Sequence, residues 1–412
     1  MRVIETTITD IGGRGDGIAL VDGLRVPVAY ALPGETIRAA ITEGRGVIEA
    51  IISPSAERIA PICRHFGACG GCALQHWAPE AVAGWKRGRI VAALERVGIG
   101  AEVAETLDAH GAGRRRVTLH IRRQEGGVEA GFMRARSHRL VDLDACPLLV
   151  AALGPVPDFA RAVGHALRGL GKPLDLQATA TDAGLDCDIR GAGLMPEALR
   201  EKLVALAIRH DLARLTLHGE RLVEARTPFV SFEDAPGLKA YLPPGAFLQA
   251  TARAEALLAQ CAGSMLAGAK QVADLFCGLG PFALRLARGM KVAAYDSDKT
   301  AIAALSRSIN ANPGGRPAIA EARDLFRRPL FAREIKPFDA VLLDPPRQGA
   351  QAQIREIAKS GLGRLVYVSC DPESFARDAR TLLDAGFRLG VVTPVDQFRH
   401  SPHVELVAGF TR

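Results

Sequence analysis

Apolar and polar residues alternate with a period of two through the first fifty positions, in runs at 3–8, 17–21, 24–28, 36–41 and 46–52. Glycine, proline and acidic residues separate the runs, so short half-buried strands joined by tight turns are expected, the pattern of a small β-barrel. A helical stretch over 79–97 follows, opened by Pro79 and closed before Gly98. From about 100 to 240, strand-like runs at 116–122, 128–133, 186–189 and 214–218 alternate with helical runs at 158–170 and 196–209, the order of an α+β unit. The pattern changes again near 271. Near-continuous β-branched apolar runs at 271–276, 291–295, 318–321, 339–343 and 364–369 alternate with helical segments. Strands apolar on both faces predict a doubly wound parallel sheet covered on each side. Runs at 388–393 and 403–410 predict a closing antiparallel strand pair.

These shifts divide the 412 residues into three expected units: a barrel at 1–53, a central unit at 54–240, and an α/β unit at 241–412. The helix at 79–98 is placed in the central unit with the option of packing on the third. Composition is close to that of an ordinary globular enzyme. Lysine and arginine number 52 against 45 acidic residues, and the pI is about 9.1, a modest excess that suits a polyanion and many ordinary enzymes equally. The first residues carry Glu5 and Asp10 and no apolar leader, and no apolar run reaches membrane-spanning length. A soluble cytoplasmic protein without a membrane partner is therefore expected. In a reducing compartment the eight cysteines are left with metal binding, catalysis or core packing.

Candidate chemistry concentrates in the last unit. The run Val272-Ala-Asp-Leu-Phe-Cys-Gly-Leu-Gly280 is a strand leading into Gly278 and Gly280 and then a helix, a turn whose backbone can approach a ligand closely. The second strand ends in Asp296, where a carboxylate can accept both hydroxyls of a ribose. Together they predict an adenosine site. Gly278, Gly280 and Ala283 also fit a relaxed dinucleotide fingerprint, but Asp274 before the turn and Pro281 after it suit an amino-acid nucleoside better than a pyrophosphate. The fourth strand ends in Asp344-Pro-Pro and the fifth in Cys370, both at the ligand-binding edge of such a sheet. A lone cysteine is ordinarily a core residue. Here Asp371-Pro372 stops the strand and a helix begins near Glu373, so a thiolate at a helix N-terminus is expected.

Far upstream, Cys63, Cys69 and Cys72 share a glycine-rich loop, and Cys146 is a possible fourth member. Four thiolates are consistent with an iron–sulfur cluster or with structural zinc, and spacing does not choose between them. Cys187, Cys261 and Cys277 read as packing residues.

With these segments in order, the chain resembles the RNA uracil-carbon-5 methyltransferase family, and within it the iron–sulfur 23S ribosomal RNA branch that carries an N-terminal TRAM domain. The resemblance runs over nearly the whole length. It rests on the barrel ending Val26-Pro-Val-Ala-Tyr-Ala-Leu-Pro-Gly-Glu35, the Cys63 to Cys72 cluster with Cys146, and Pro244-Gly-Ala-Phe-Leu-Gln249. It continues through Asp274-Leu-Phe-Cys-Gly-Leu-Gly280, Asp344-Pro-Pro-Arg-Gln-Gly349, Tyr367-Val-Ser-Cys-Asp-Pro372 and His403-Val-Glu405. It implies a Rossmann-like methyltransferase sheet, S-adenosyl-L-methionine as methyl donor, and a 4Fe-4S cluster on the four cysteines. It further implies Cys370 as nucleophile, Glu405 as base, and cofactor contacts at Gln249, Phe276, Asp296, Asp324 and Asp344. Carbon 5 of uracil has no lone pair, so attack of a thiolate on carbon 6 is what would make it nucleophilic. Three positions depart from the family pattern: Thr251 and Asp371 stand where asparagines are usual, and Pro281 where a polar residue is usual.

An RNA partner, ribosomal ahead of transfer RNA, is expected to meet the barrel, the run Gly113-Arg-Arg-Arg116 and the segment 132–139. The target uridine should be unstacked or flipped. A monomer is expected. Two competing readings are a nicotinamide-dependent iron–sulfur oxidoreductase and a non-catalytic RNA-binding protein.

Overall fold

The computed structural model describes residues 2–124, 127–170 and 172–412. Strands β1 (Arg2–Ile11), β2 (Gly17–Val21), β3 (Leu24–Val28), β4 (Thr36–Thr42) and β5 (Arg45–Ser53) close into a barrel in the order β1-β2-β3-β5-β4. Ile8, Ala19, Val28, Ile37 and Ala39 fill it. Gly17 is required there, since a Cβ would stand 2.6 Å from the Ala31 carbonyl oxygen. Helix α1 (Pro79–Arg96) and the two-residue strand β6 (Leu107–Asp108) come next.

The central sheet comprises β7 (Arg116–Gln124), β8 (Gly127–Met133), β9 (Leu140–Asp142), β10 (Leu174–Thr181), β11 (Gly184–Arg190), β12 (Arg214–Leu217) and β13 (Glu220–Glu224). Their order is β13-β12-β11-β10-β7-β8-β9, antiparallel except for the β11–β12 pair. Helices α2 (Val156–Ala166) and α3 (Glu197–Arg209) bury Phe159, Val163 and Leu203 in one core with Leu119, Ile121, Leu176 and Ile189 of the sheet. Strand β10 alternates apolar and polar residues (LDLQATAT) but its apolar half ends in two alanines, and the sequence reading passes over it although it sits in the middle of this sheet. A short antiparallel pair, β14 (Phe229–Ser231) and β15 (Lys239–Tyr241), leads to helix α4 (Ala252–Met265).

The last unit alternates as expected: β16 (Gln271–Leu275), α5 (Pro281–Leu286), β17 (Lys291–Asp296), α6 (Lys299–Ala311), β18 (Ala318–Ala322), α7 (Ala332–Ile335), β19 (Ala340–Leu343), α8 (Gln351–Lys359), β20 (Arg364–Ser369), α9 (Pro372–Asp384), β21 (Arg388–Asp396) and β22 (Glu405–Thr411). The sheet order is β18-β17-β16-β19-β20-β22-β21-β6. The five strands from β18 to β20 are parallel, and β22 runs antiparallel between β20 and β21. Val272, Leu342, Val366 and Val407 face one core, while Leu275, Leu343, Tyr367 and Leu406 face the other, so both sides of the sheet are covered. Strand β6 pairs in parallel with β21 at the edge, and α1 contributes Ile90 and Leu94 to the same core as Tyr367 and Leu406. The catalytic sheet is thus completed by chain that precedes residue 110. No helix among the described residues is long and apolar enough to cross a membrane.

Candidate active site

Strand register alone gathers the titratable groups. Leu275 pairs with both Tyr295 and Leu343, so Phe276, Asp296 and Asp344 leave the sheet side by side. Ser369 pairs with Leu406 in antiparallel register, which sets Cys370 beside Glu405 one step further on. Asp296 pairs with Ala322, and Asp324 follows two residues later. All lie at the carboxyl end of the parallel strands, where an open α/β sheet binds its ligands.

The turn after β16 is strained in a useful way. Phe276 has φ +62°, unusual for a residue with a side chain, and Gly278 and Gly280 have φ +52° and +69°. A Cβ on Gly280 would fall 2.4 Å from Leu305, so close packing on α6 demands glycine. The Gly278 amide donates to Asp296 Oδ2 at 2.9 Å, and the Asp298 amide to Oδ1 at 2.9 Å, which fixes the carboxylate beside the turn. The Phe276 ring meets Phe326 with centroids 5.2 Å apart, and Asp324 accepts the Phe326 amide at 3.0 Å. Phe326 is a half-exposed member of this edge that sequence reasoning missed, because nothing in the spacing of β18 announces it.

Asp274 lies just below. It is fully buried and neither carboxyl oxygen has a hydrogen-bond partner, the nearby Ala283 amide standing outside ordinary bonding geometry. Burial, helped by Asp296, pushes its acid up to about 8. An orphaned acid under a nucleoside-type turn calls for a donor or a cation from a ligand.

Around Cys370 the charges crowd. Glu405 is 4% exposed, and burial pushes it up to about 7 despite a hydrogen bond from Gln397. Asp344 lies well above the usual carboxylate range, through burial and then the charges of Glu405, Asp274 and Asp296. Burial, Glu405 and Asp344 push the Cys370 thiol up to about 12, with Arg347 opposing them. The expected bias toward thiolate is therefore absent from the ligand-free site. Two acids outweigh the helix terminus, which Asp371 already caps by accepting the Ser374 amide at 2.9 Å.

Gln249 reaches the same edge from the loop before α4. Its Nε2 faces Asp344 Oδ2 at 3.4 Å, and its Oε1 accepts from Gln397 Nε2 at 2.7 Å. Gln397, in the loop after β21, also escaped sequence reasoning, since a glutamine between strands carries no pattern. The three departures from the family pattern share a local cause. Thr251 caps α4 by accepting the Ala254 amide at 3.0 Å, Asp371 caps α9, and Pro281 opens α5.

The four upstream cysteines are half-buried and line one cavity of about 350 Å³, which extends to Gln249 and Gln397 but does not include Cys370. Among the described residues no group of three or more His, Cys, Asp or Glu side chains is arranged to hold a metal ion, so the structure itself does not support the expected cluster. The four thiols share this space without converging on one point.

The basic run at 114–116 is not a solvated face. Arg115 is buried against Glu255 and the Gln249 carbonyl oxygen, whereas Arg116 lies over the exposed Phe247 ring at 5.0 Å and Arg114 near Phe398 at 5.9 Å. Arg136 of the second basic segment is paired with Asp16 of the barrel.

A Rossmann-like sheet with an adenosine-type turn, a strand-end cysteine and an N-terminal barrel defines a nucleoside-cofactor methyltransferase of the class that works on nucleic acid. Comparison with known proteins narrows this. A family model described as tRNA (uracil-5-)-methyltransferase matches residues 242–410. An uncharacterized RNA methyltransferase of Brucella suis is 43% identical over 99% of this chain and 98% of its own. The 23S rRNA (uracil(1939)-C(5))-methyltransferase RlmD of Pseudomonas savastanoi is 34% identical over 98% of this chain and 93% of its own. The crystal structure of Pyrococcus abyssi tRNA (uracil-54, C5)-methyltransferase with S-adenosyl-L-homocysteine superposes with a TM-score of 0.74 over 99% of both chains, at 22% identity, a likeness of fold. The chain belongs to the tRNA (uracil-5-)-methyltransferase family of S-adenosylmethionine-dependent RNA methyltransferases.

Proposed function

We propose that this enzyme methylates carbon 5 of a uridine in 23S ribosomal RNA through a covalent Cys370 adduct, with Glu405 as the base. The observation that carries the reading is the register that puts Cys370 beside Glu405, one strand from Asp344. As the sulfonium cation binds, Cys370 loses its proton to solvent, and the thiolate adds to carbon 6, forming the S–C6 bond and an enolate. Carbon 5 then attacks the sulfonium methyl, and S-adenosylhomocysteine leaves with the electron pair of the broken S–CH3 bond. Glu405 takes the proton from carbon 5, the double bond re-forms, and the S–C6 bond breaks to return the thiolate. A sulfonium cation held at this edge would offset the carboxyl groups that crowd Cys370.

For the methyl donor, Asp296 would accept the ribose hydroxyls, Phe276 and Phe326 would together form one wall for the base, and Asp324 would stand at its rim. Gly278 and Gly280 would let the backbone approach, Asp274 would answer the α-ammonium group, and Gln249 with Asp344 would lie near the reacting methyl. Ribosomal RNA is favoured over transfer RNA by the full-length relative whose name specifies 23S rRNA. A 4Fe-4S cluster would be held by Cys63, Cys69, Cys72 and Cys146, whose thiols line one cavity. When bound it would brace the 63–72 loop against the segment after β9.

The deciding experiment offers the enzyme RNA containing 5-fluorouridine together with S-adenosylmethionine, because fluorine blocks the final elimination. Trapped RNA mapping to 23S sequence supports the proposal. Trapped transfer RNA would move the target, and an active, cofactor-binding preparation that traps nothing would overturn the covalent mechanism.

A further inference from the structure

Gln397 is 1% exposed and uses its whole side-chain amide. Its Oε1 accepts the Ala250 amide at 2.7 Å, and its Nε2 donates to Gln249 Oε1 at 2.7 Å and to Glu405 Oε1 at 3.0 Å. The Ala250 N–H can meet only an acceptor, so the oxygen end of Gln397 is fixed and its NH2 must face the other two. That choice propagates. Gln249 has to present its own oxygen to Gln397, which turns its NH2 toward Asp344.

The loop around Gln397 is held equally firmly. Lys86, fully buried on α1, donates to both oxygens of Asp396 at 2.7 Å and to the Phe398 carbonyl oxygen at 3.1 Å. The Phe398 amide donates back to Asp396 Oδ1 at 3.0 Å. The residues on either side of Gln397 are therefore anchored to a helix from the other half of the chain. A buried amide is unfavourable unless its polar atoms are all engaged, and here they are.

We propose that Gln397 is a positioning residue for the base: its amide holds Oε1 of Glu405, leaves Oε2 free to accept the carbon-5 proton, and sets which end of Gln249 faces Asp344. This rests on the reading of Glu405 as base. Donation to Glu405 favours its carboxylate, the form able to take a proton. The other titratable groups facing Glu405 are Asp344 beyond β19 and Cys370 beyond β20, and both would be disfavoured as anions by its charge. Arg347, the nearest cation in this set, acts on Cys370. The Gln397 donor is thus what offsets burial at Glu405.

The test uses the full-length enzyme, labelled S-adenosylmethionine and unmodified 23S RNA transcribed in vitro, with single-turnover product release followed from pH 5.5 to 9. Gln397→Met keeps the volume and removes the donors. Gln397→Glu keeps the shape and places a negative charge beside Glu405. The expected result is an acid limb moved up by about one pH unit in Gln397→Met and further in Gln397→Glu. Both variants should still form the 5-fluorouridine adduct at saturating S-adenosylmethionine, with covalent enzyme–RNA accumulating on ordinary RNA. Limbs that coincide with the parent's, or an equal loss at every pH, would overturn the positioning role. A parent enzyme that traps no 5-fluorouridine adduct would instead remove the base reading on which it stands. If Gln397→Met does not fold, Gln397→Glu alone still decides by the direction of its limb.

Discussion

Two thiols in this molecule, Cys370 and Cys72, are pushed upward first by burial and then by different neighbours. Cys370 is raised by burial and then by two carboxyl groups, Glu405 and Asp344. Cys72 is raised to about 11 by burial and then by the sulfurs of Cys146, Cys69 and Cys63. The first arrangement waits for a transient cation and a proton acceptor, so it suits a reaction. The second would be relieved by a resident cationic centre shared among four sulfurs, so it suits a cofactor. Neither reactivity nor ligation follows from the cysteine alone. It follows from whether the surrounding charges belong to acids or to other thiols.

The contrast is most sharply tested at the nucleophile. Cys370→Ala should lower methyl incorporation into RNA by more than about a thousandfold and abolish the 5-fluorouridine adduct, while leaving any bound iron in place. Glu405→Gln should slow turnover by about a hundredfold to ten-thousandfold yet let covalent enzyme–RNA build up, visible on a denaturing gel. Cys72→Ser tests the other site: the proposed cluster requires about four iron per chain in the anaerobically prepared parent and fewer in the variant, with S-adenosylmethionine binding kept. Cys187→Ser, buried in the central core, should leave iron unchanged.

A pH effect of intermediate size follows from the acids. Glu405 and Asp274 have folded values near 7 and 8, above their ordinary ones of 4.5 and 3.8. The folded state therefore binds protons that the unfolded state releases, and this stabilisation is present at low pH and lost as pH rises through 7 and 8. The protein should melt at lower temperature at pH 8.5 than at pH 7, an interval above the one in which the buried histidines His76 and His400 oppose the acids. A melt that rises over this interval would contradict the burial of these groups. The smallest expected change is at Arg136→Ala, which removes a half-exposed partner of Asp16 and should shift stability by about 1 kcal/mol or less.

Much of this was legible beforehand. The barrel strands and the β/α alternation after 271 emerge within a few residues, because two-period and buried-strand patterns are local signals. Asp296, Asp344 and Cys370 were readable because strand ends share an edge. The thiol's protonation was not, since it depends on Glu405, which only the antiparallel register brings near. Gln397 and Phe326 were invisible for a related reason: their partners are distant in sequence, as with the 148 residues between Gln397 and Gln249. The run at 114–116 shows the converse. Its composition reads as a surface, but Glu255 draws Arg115 into the interior.

The joining of α1 and β6 to the catalytic sheet has a bearing on how the protein is made. Lys86 and Asp396 are 310 residues apart, and the edge strand β21 finds its last neighbour in a segment synthesised near the beginning. On the ribosome, α1 must wait with its apolar face and its lysine unmet until nearly the entire chain has emerged. The active site is then the last part of the molecule to be assembled. Cutting at 240 would yield a fragment without its edge strand β6 and with Asp396 deprived of its Lys86 partner.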